Sequence, residues 1–188
     1  MKRGVSIGEA EKENLIKIAE ISLALNSYED IFSSFDPRRY SERSLSVDFL
    51  AESERASRDK EEGTTLDLEL LVPKKQRKVH YEKMIKRRLK DHFRKHFEML
   101  LKERRKMFVM GGLFVFFGII IMFLASVVLF KMGDSTLSSS FLIVLLEPAG
   151  WFLFWEGLDI LIFEPKKKKQ DYNFYAKMAK CRIQFADY

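Results

Sequence analysis

Three carboxylates interrupt apolar sequence in this chain, where an acid can carry a proton or bind a cation. Glu147, Glu156 and Asp159 lie in a stretch that is otherwise apolar from residue 137 to residue 163. If that stretch crosses a membrane, each acid costs at least ~2.5 kcal/mol and must be paired, protonated or hydrated. The sequence therefore marks these three residues as the first candidates for chemistry.

Glu147 is the deepest of the three when the chain is folded back at its polar link, residues 131–136. It then lies opposite Ile120, near the bilayer midplane, with Pro148 beside it. Proline removes one backbone hydrogen bond and frees a carbonyl near residue 144. Two interpretations stay open: Glu147 lies on a proton or cation pathway, or it is protonated and bonds that carbonyl or its copy in a neighbouring subunit.

Two apolar stretches must position these acids. Residues 107–130 carry no charge, and residues 137–163 follow after a link of six residues. About 20 apolar residues span a bilayer as a helix, so the sequence predicts a two-helix transmembrane hairpin, with the second helix kinked near Pro148. Small residues recur at heptad intervals and predict the contact between the helices: Gly111, Gly118, Ala125, Gly150 and Gly157.

Basic residues flank this hairpin at its open end and form a predicted membrane-surface collar. The link at the other end carries only Lys131. This bias predicts a multi-pass protein of the cell (inner) membrane with both termini cytoplasmic. The collar is expected to contact anionic headgroups and to pair with Glu156 and Asp159. Its members are Arg104, Arg105, Lys106, Lys166, Lys167, Lys168 and Lys169.

Charge separates the remaining segments. Residues 1–73 have a net charge of −6, residues 74–106 of +11 and residues 164–188 of +4. The basic segment has apolar residues at helical spacing, so it is predicted to be an amphipathic helix continuous with the first span. It could be a self-associating stalk resembling a coiled coil, a helix against anionic lipid, or a nucleic-acid surface. The third is the weakest, and no nucleic-acid partner is expected.

Metal and cofactor chemistry find little support. His92 and His96 have the i, i+4 spacing of a metal pair, but no third ligand accompanies them. Two histidines at a packing interface are therefore the favoured interpretation. Cys181 is expected to be a free thiol. Because phosphate loops and nucleophile motifs are absent from the sequence, we expect no catalytic residues, no metal and no cofactor.

Alternating apolar and polar residues predict two short strands, at 66–72 and 181–185. We expect these strands to pair, with Asp67 or Glu69 near Arg182. An isolated two-stranded ribbon is marginal, so the sheet is either completed between subunits or packed on the basic helix.

The N-terminal segment is predicted to be a helical arm. Ser6 to Glu9 form a capping box, and apolar residues at helical spacing extend the predicted helix over 7–26. A second helix is expected from Ser46 to about Gly63. Because the arm is acidic, it is expected to dock on the basic helix, within one subunit or between subunits. The start of the chain indicates neither a secretory signal nor myristoylation.

The predicted domains follow from these segments. They are an acidic helical cytoplasmic arm at 1–63, a strand at 64–73, the basic amphipathic helix at 74–106, transmembrane helices at 107–130 and 137–163 joined by an external loop at 131–136, and a cytoplasmic tail with a short strand at 164–188. The predicted fold class is therefore a mainly α membrane protein with a small cytoplasmic β pairing.

One segment resembles a known group of sequences. Residues 30–50, DIFSSFDPRRYSERSLSVDFL, resemble a segment of small prokaryotic two-span membrane proteins. The strand that ends at Pro73, the histidine-bearing helix and the Glu147-Pro148 pair are also similar. The resemblance implies no activity, cofactor or partner. It suggests that residues 30–50 form a recognition element, and the alternative is a capped turn and helix buried in the fold.

Two functions follow from these features. The favoured hypothesis is a non-catalytic membrane protein that forms a homo-oligomer and acts as a scaffold or adaptor, with a possible cytoplasmic protein partner bound through the N-terminal arm. The alternative is an oligomeric ion channel or proton-coupled membrane component with Glu147 in its pathway. Two spans cannot enclose a pore alone, so both hypotheses need an oligomer.

Overall fold

The computed structural model describes residues 18–58, 65–132 and 137–187. They divide into two compact units. An α/β unit contains the described residues up to Glu98 and those from Asp171 onward. A helical unit contains those between Met99 and Gln170.

The α/β unit is built on a small parallel sheet. Within the described residues its strands are β1 (Ile18–Ala24), β2 (Thr65–Val72) and β3 (Arg182–Asp187), in the order β1-β2-β3. The predicted pairing of 66–72 with 181–185 is confirmed, and its direction is parallel. Asp67 is in register with Arg182, as predicted.

Every second side chain of β2, beginning with Leu66, is apolar and buried, which identifies the covered face of the sheet. Leu66, Leu68, Leu70 and Val72 are at most 1 % exposed. Because successive side chains of a strand point to opposite faces, these four residues share one face. They belong to the same buried cluster as Ile21 of β1 and as Ile183 and Phe185 of β3.

Three helices contribute side chains to this cluster. Helix α1 (Val47–Arg58) buries Phe49. Helix α2 (Val79–Met132) buries Ile85, Leu89 and Phe93 at intervals of four residues, which places them on one helix face. The third helix, α5 (Lys169–Lys180), buries Phe174 and Met178. This helix was not predicted from the sequence.

The helix predicted over residues 7–26 is wrong where the structure describes it. Residues 18–24 form strand β1, and the rest of that prediction up to residue 17 lies outside the described residues. Ile18, Ile21 and Leu25 fit helical spacing, but Ile21, Leu23 and Leu25 also fit the period of a strand. Pairing with β2 over seven residues decides in favour of the strand.

The helical unit contains the two longest apolar stretches of the chain. Helix α2 is uninterrupted from the basic segment through to Met132, which agrees with the predicted continuity. Helix α3 (Leu137–Ile162) contains Pro148 without ending there. At 1.5 Å per residue, α3 is about 39 Å long, which exceeds the ~30 Å apolar thickness of a bilayer. A short helix, α4 (Glu164–Lys167), follows it.

Candidate functional site

Glycines form the contact between α2 and α3 in the helical unit. A Cβ atom added to Gly118 would lie 2.7 Å from the backbone nitrogen of Phe154 and 2.9 Å from the carbonyl oxygen of Gly150. One at Gly157 would lie 2.7 Å from the nitrogen of Val115. The two backbones therefore approach too closely for any larger side chain. Contacts later in α2 are made with residues earlier in α3, so the two helices are antiparallel.

The structure brings the predicted glycine stripes together at this contact. A Cβ at Gly111 would lie 3.0 Å from the carbonyl oxygen of Gly157, and Ala125 is also buried. Gly112, next to Gly111, has no atom within 4 Å of an added Cβ. The stripe is thus defined by its contacts and not by glycine content alone.

Glu147 lies away from this contact. Its side chain is exposed, whereas Gly150, one helical turn further on, is buried against α2. Because Gly150 is opposite Gly118, Glu147 lies near the level of Ile121, which is close to the middle of the stretch 107–130. Glu147 therefore points out from the helix pair at mid-length. Glu156 and Asp159 are exposed as well.

Most of the apolar surface of the two long helices is left uncovered by the residues that the structure describes. Their most apolar windows have mean hydropathies of 3.0 in α2 and 1.6 in the stretch that begins at Leu137, and only 11 % of each window is buried. Within the described residues these two helices are long and apolar enough to cross a membrane, which suggests membrane association.

Basic residues of the predicted collar make specific contacts in the same unit. Lys168 Nζ lies 2.8 Å from the Glu103 carboxylate. The Arg104 guanidinium lies 5.7 Å from the ring centroid of Phe108, and Lys166 Nζ lies 5.5 Å from that of Phe163. Each cation therefore stands where apolar sequence meets charged sequence. Arg105, Lys106 and Lys169 are exposed, and Lys167 pairs with Glu164.

His92 and His96 form an aromatic cluster in the α/β unit. Their ring centroids are 4.2 Å apart, and His96 stacks on Tyr175 of α5 at 5.2 Å. Burial lowers the pKa of His92 to about 4, and the neighbouring His96 and Arg88 act in the same direction. Burial, with Lys95 and Arg88, also lowers the pKa of His96. Within the described residues, the Nε2 atom of His92 has no hydrogen-bond partner.

These histidines predict acid sensitivity of the α/β unit. The unfolded chain protonates its histidines near pH 6.5, whereas the folded unit keeps His92 neutral until about pH 4. The unfolded state therefore binds more protons between these values, so stability falls as the pH falls through this window. We expect His92→Leu to weaken this dependence, measured as the urea midpoint at pH 7 and pH 5.

The exposed His80 provides the control position for this measurement. His80→Gln is expected to retain the pH dependence of the parent protein. An unchanged dependence in His92→Leu would contradict the assignment of acid sensitivity to His92.

A charged network around the buried Glu82 side chain lies at the carboxyl end of the sheet. Arg77 Nε donates to the Glu82 carboxylate at 2.9 Å, and the Tyr28 hydroxyl donates to the same oxygen at 3.3 Å. Arg77 also donates to Asp187 and to the carbonyl oxygen of Phe185, both at 2.9 Å. Burial raises the pKa of Tyr28. Glu82 is only 5 % exposed and accepts both hydrogen bonds on Oε1, so Arg77 links β3 to the start of α2.

Residues 30–50 are folded into the α/β unit. Ile31, Phe32, Leu45 and Phe49 are buried, and the backbones of Phe32 and Leu45 form an antiparallel bridge. The Tyr40 ring lies 5.5 Å from that of Tyr81 on α2. These contacts favour the interpretation of a buried turn and helix. Within the chain, Tyr40 of this segment thus contacts the basic helix, whereas docking of the acidic arm between subunits stays a prediction.

The described residues give no support for metal binding. Among them, no cluster of three or more His, Cys, Asp or Glu side chains could hold a metal ion. Cys181 is a free, buried thiol whose pKa is raised by burial to about 11. A thiol in this state is a poor nucleophile at neutral pH.

Comparison of the chain with protein-family models, with curated proteins and with solved structures finds no match.

Proposed function

We propose that the protein is a non-catalytic integral membrane protein that self-assembles through its two apolar helices and acts as a membrane-anchored scaffold or adaptor. Glu147 carries the proposal. Its carboxyl group is exposed near the middle of the helix pair, on a side that the described part of the chain leaves uncovered. A carboxyl group in contact with lipid is costly, and contact of this side with a second copy would remove that cost.

The topology of the sheet supports a single side for both ends of the chain. Strand β2 ends at Val72 and strand β3 begins at Arg182, and the two strands pair. If α2 and α3 each cross the membrane, the chain returns to its starting side before it completes the sheet. The basic collar supports the cytoplasm of the cell (inner) membrane as that side, with anionic headgroups around the collar. The α/β unit is then displayed to cytoplasmic partners.

Assembly in a mild detergent tests the proposal. Interhelical hydrogen bonds in membranes contribute about 0.6–1.7 kcal/mol. We therefore expect Glu147→Leu to weaken subunit association by about 3- to 16-fold per contact. Glu147→Gln keeps a hydrogen-bonding group at the same place and is expected to assemble like the parent protein. Native mass spectrometry gives the number of copies, and a monomeric parent or an unaffected Glu147→Leu variant would contradict self-assembly through this residue.

A channel or proton-coupled component is the second candidate, and Pro148 is the observation that favours it. Proline inside α3 leaves a carbonyl near residue 144 without its helical donor, beside the Glu147 carboxyl group. Proton or cation flux is measured in liposomes. If the parent protein shows flux and Glu147→Gln loses it while still assembling, conduction is supported. If neither the parent protein nor the variant shows flux, the scaffold is supported.

A further inference from the structure

A basic groove of about 450 Å³ runs between helix α2 and strand β3 in the α/β unit. The wall on the α2 side is formed by charged side chains, and Ala179 and Ile183 contribute apolar surface. The charged members are Lys86, Arg87, Lys90, Asp91 and Arg94. They follow the helix for more than two turns, so the groove is elongated along α2.

The cations in this groove are only partly neutralised. Among the described residues that line the groove, Asp91 is the single carboxylate, and it lies 3.9 Å from Arg87 and 3.6 Å from Arg94. Among the described residues, no carboxylate lies within 4.0 Å of the ammonium groups of Lys86 or Lys90. Lys86 instead lies 5.5 Å from the ring centroid of Phe185. The groove is therefore suited to a ligand with several negative charges.

The open edge of the sheet adjoins the same groove. Strand β3 pairs with β2 on one side, and its other side has no neighbouring strand among the described residues. An unpaired strand edge presents backbone N–H and C=O groups that can bind an extended peptide. Ile183 belongs both to β3 and to the groove lining, so edge and cations form one surface.

We propose that this surface binds an extended, acidic segment of a partner protein, which adds to the outer edge of β3. Alternate side chains of an added strand point to the helix-covered face, as Ile183 and Phe185 do. Acidic residues at every second position of the segment would therefore lie over Lys86, Lys90 and Arg94. This inference rests on the proposed adaptor role and specifies the chemistry of the partner.

A strand is a better fit than another polyanion because two features of the surface act together. Phosphate groups of a lipid or a nucleic acid would pair with the lysines and arginines but would leave the backbone groups of β3 unused. The apolar contribution of Ala179 and Ile183 also suits side chains of a peptide more than a chain of phosphates. The cations of the groove attract the acidic side chains, and hydrogen bonds to the edge of β3 fix the position of the peptide along the strand.

Binding of synthetic peptides to the full chain in detergent micelles tests the proposal. One peptide alternates Glu with Thr, and a second has the same composition with all Glu residues in one block. We expect the alternating peptide to bind at least about tenfold more tightly. Lys90→Glu should weaken its binding by about tenfold, whereas Lys83→Glu, an exposed position of α2 outside the groove, should not. Amide hydrogen exchange in residues 182–187 should slow when the peptide binds.

The proposal would be overturned by any of the following results. Equal binding of the block peptide would show attraction by charge alone, and binding without protection of residues 182–187 would exclude strand addition. Displacement of the peptide by anionic vesicles or by a single-stranded oligonucleotide, with tighter binding of the competitor, would assign the groove to that polyanion. The number of copies is measured in the same samples. If the protein is a monomer and binds the peptide, only the assembly proposal is contradicted. If it is an oligomer and binds no peptide, only the peptide-binding proposal is contradicted.

Discussion

Gly118→Val is expected to destabilise the association of α2 with α3 by about 1–3 kcal/mol, the usual cost of forcing extra atoms into a packed contact. The first added carbon alone would lie 2.7 Å from the backbone nitrogen of Phe154. Backbone atoms cannot rotate away as a side chain can, so the helices must separate. In a membrane, close backbone contact is a main source of helix association, which makes this position sensitive.

Gly112→Val is the matched control for this prediction. It makes the same chemical change in the same helix, but nothing lies within 4 Å of an added Cβ. Unfolding in mixed micelles with increasing sodium dodecyl sulfate, followed by the fluorescence of Trp151 and Trp155, measures both variants. Equal stability of the two variants would contradict the glycine contact.

Phe93→Ala is expected to lower the free energy of unfolding of the α/β unit by about 3–5 kcal/mol, as other buried Phe→Ala changes do. Phe93 is fully buried, and its ring lies 6.0 Å from Phe174 and 6.4 Å from Tyr175. The substitution removes one of the side chains through which α2 contacts α5. The loss is large because these rings cannot all move to fill the space.

Phe35→Ala is the matched control, since the Phe35 side chain is 95 % exposed. We expect its effect to be within about 0.5 kcal/mol. Strand β2 belongs to the α/β unit, so amide hydrogen exchange of residues 66–72 at increasing urea concentration measures the stability of this unit. A Phe93→Ala variant as stable as Phe35→Ala would contradict the described core.

Much of the helical unit could be predicted from the sequence because its signals are local. An uncharged stretch such as 107–130 has few alternatives to a long apolar helix. The strand at 66–72 was equally clear, since apolar and acidic residues alternate before Pro73. Heptad spacing of glycines marked the positions at which α2 and α3 approach each other.

The errors lie where local pattern and tertiary contact disagree. A strand and a helix at this place would both bury Ile21 and Leu25. The strand is favoured because it pairs with an edge of β2, and this long-range pairing leaves no local pattern in the sequence. Helix α5 follows a run of lysines that looked like a solvated tail, although Phe174 and Met178 stand four residues apart. A pattern of one turn is too short to predict a helix with certainty.

The sites differ in the same way. Glu147 could be singled out from sequence because an acid in an apolar stretch is conspicuous. The Arg77–Glu82–Tyr28 network and the groove beside β3 could not, since their members come from distant parts of the chain. Tyr28 and Glu82 are separated by 54 residues, and no spacing rule connects them.

The order of synthesis gives the pairing of β2 with β3 a further meaning. Between the two strands the ribosome must make both long apolar helices. Until residues 182–187 emerge, β2 keeps one edge vacant and its leucines only partly shielded. If only one of the two helices crossed a membrane, β2 and β3 would lie on opposite sides and could not pair, so completion of the sheet requires that α2 and α3 both cross or that neither does.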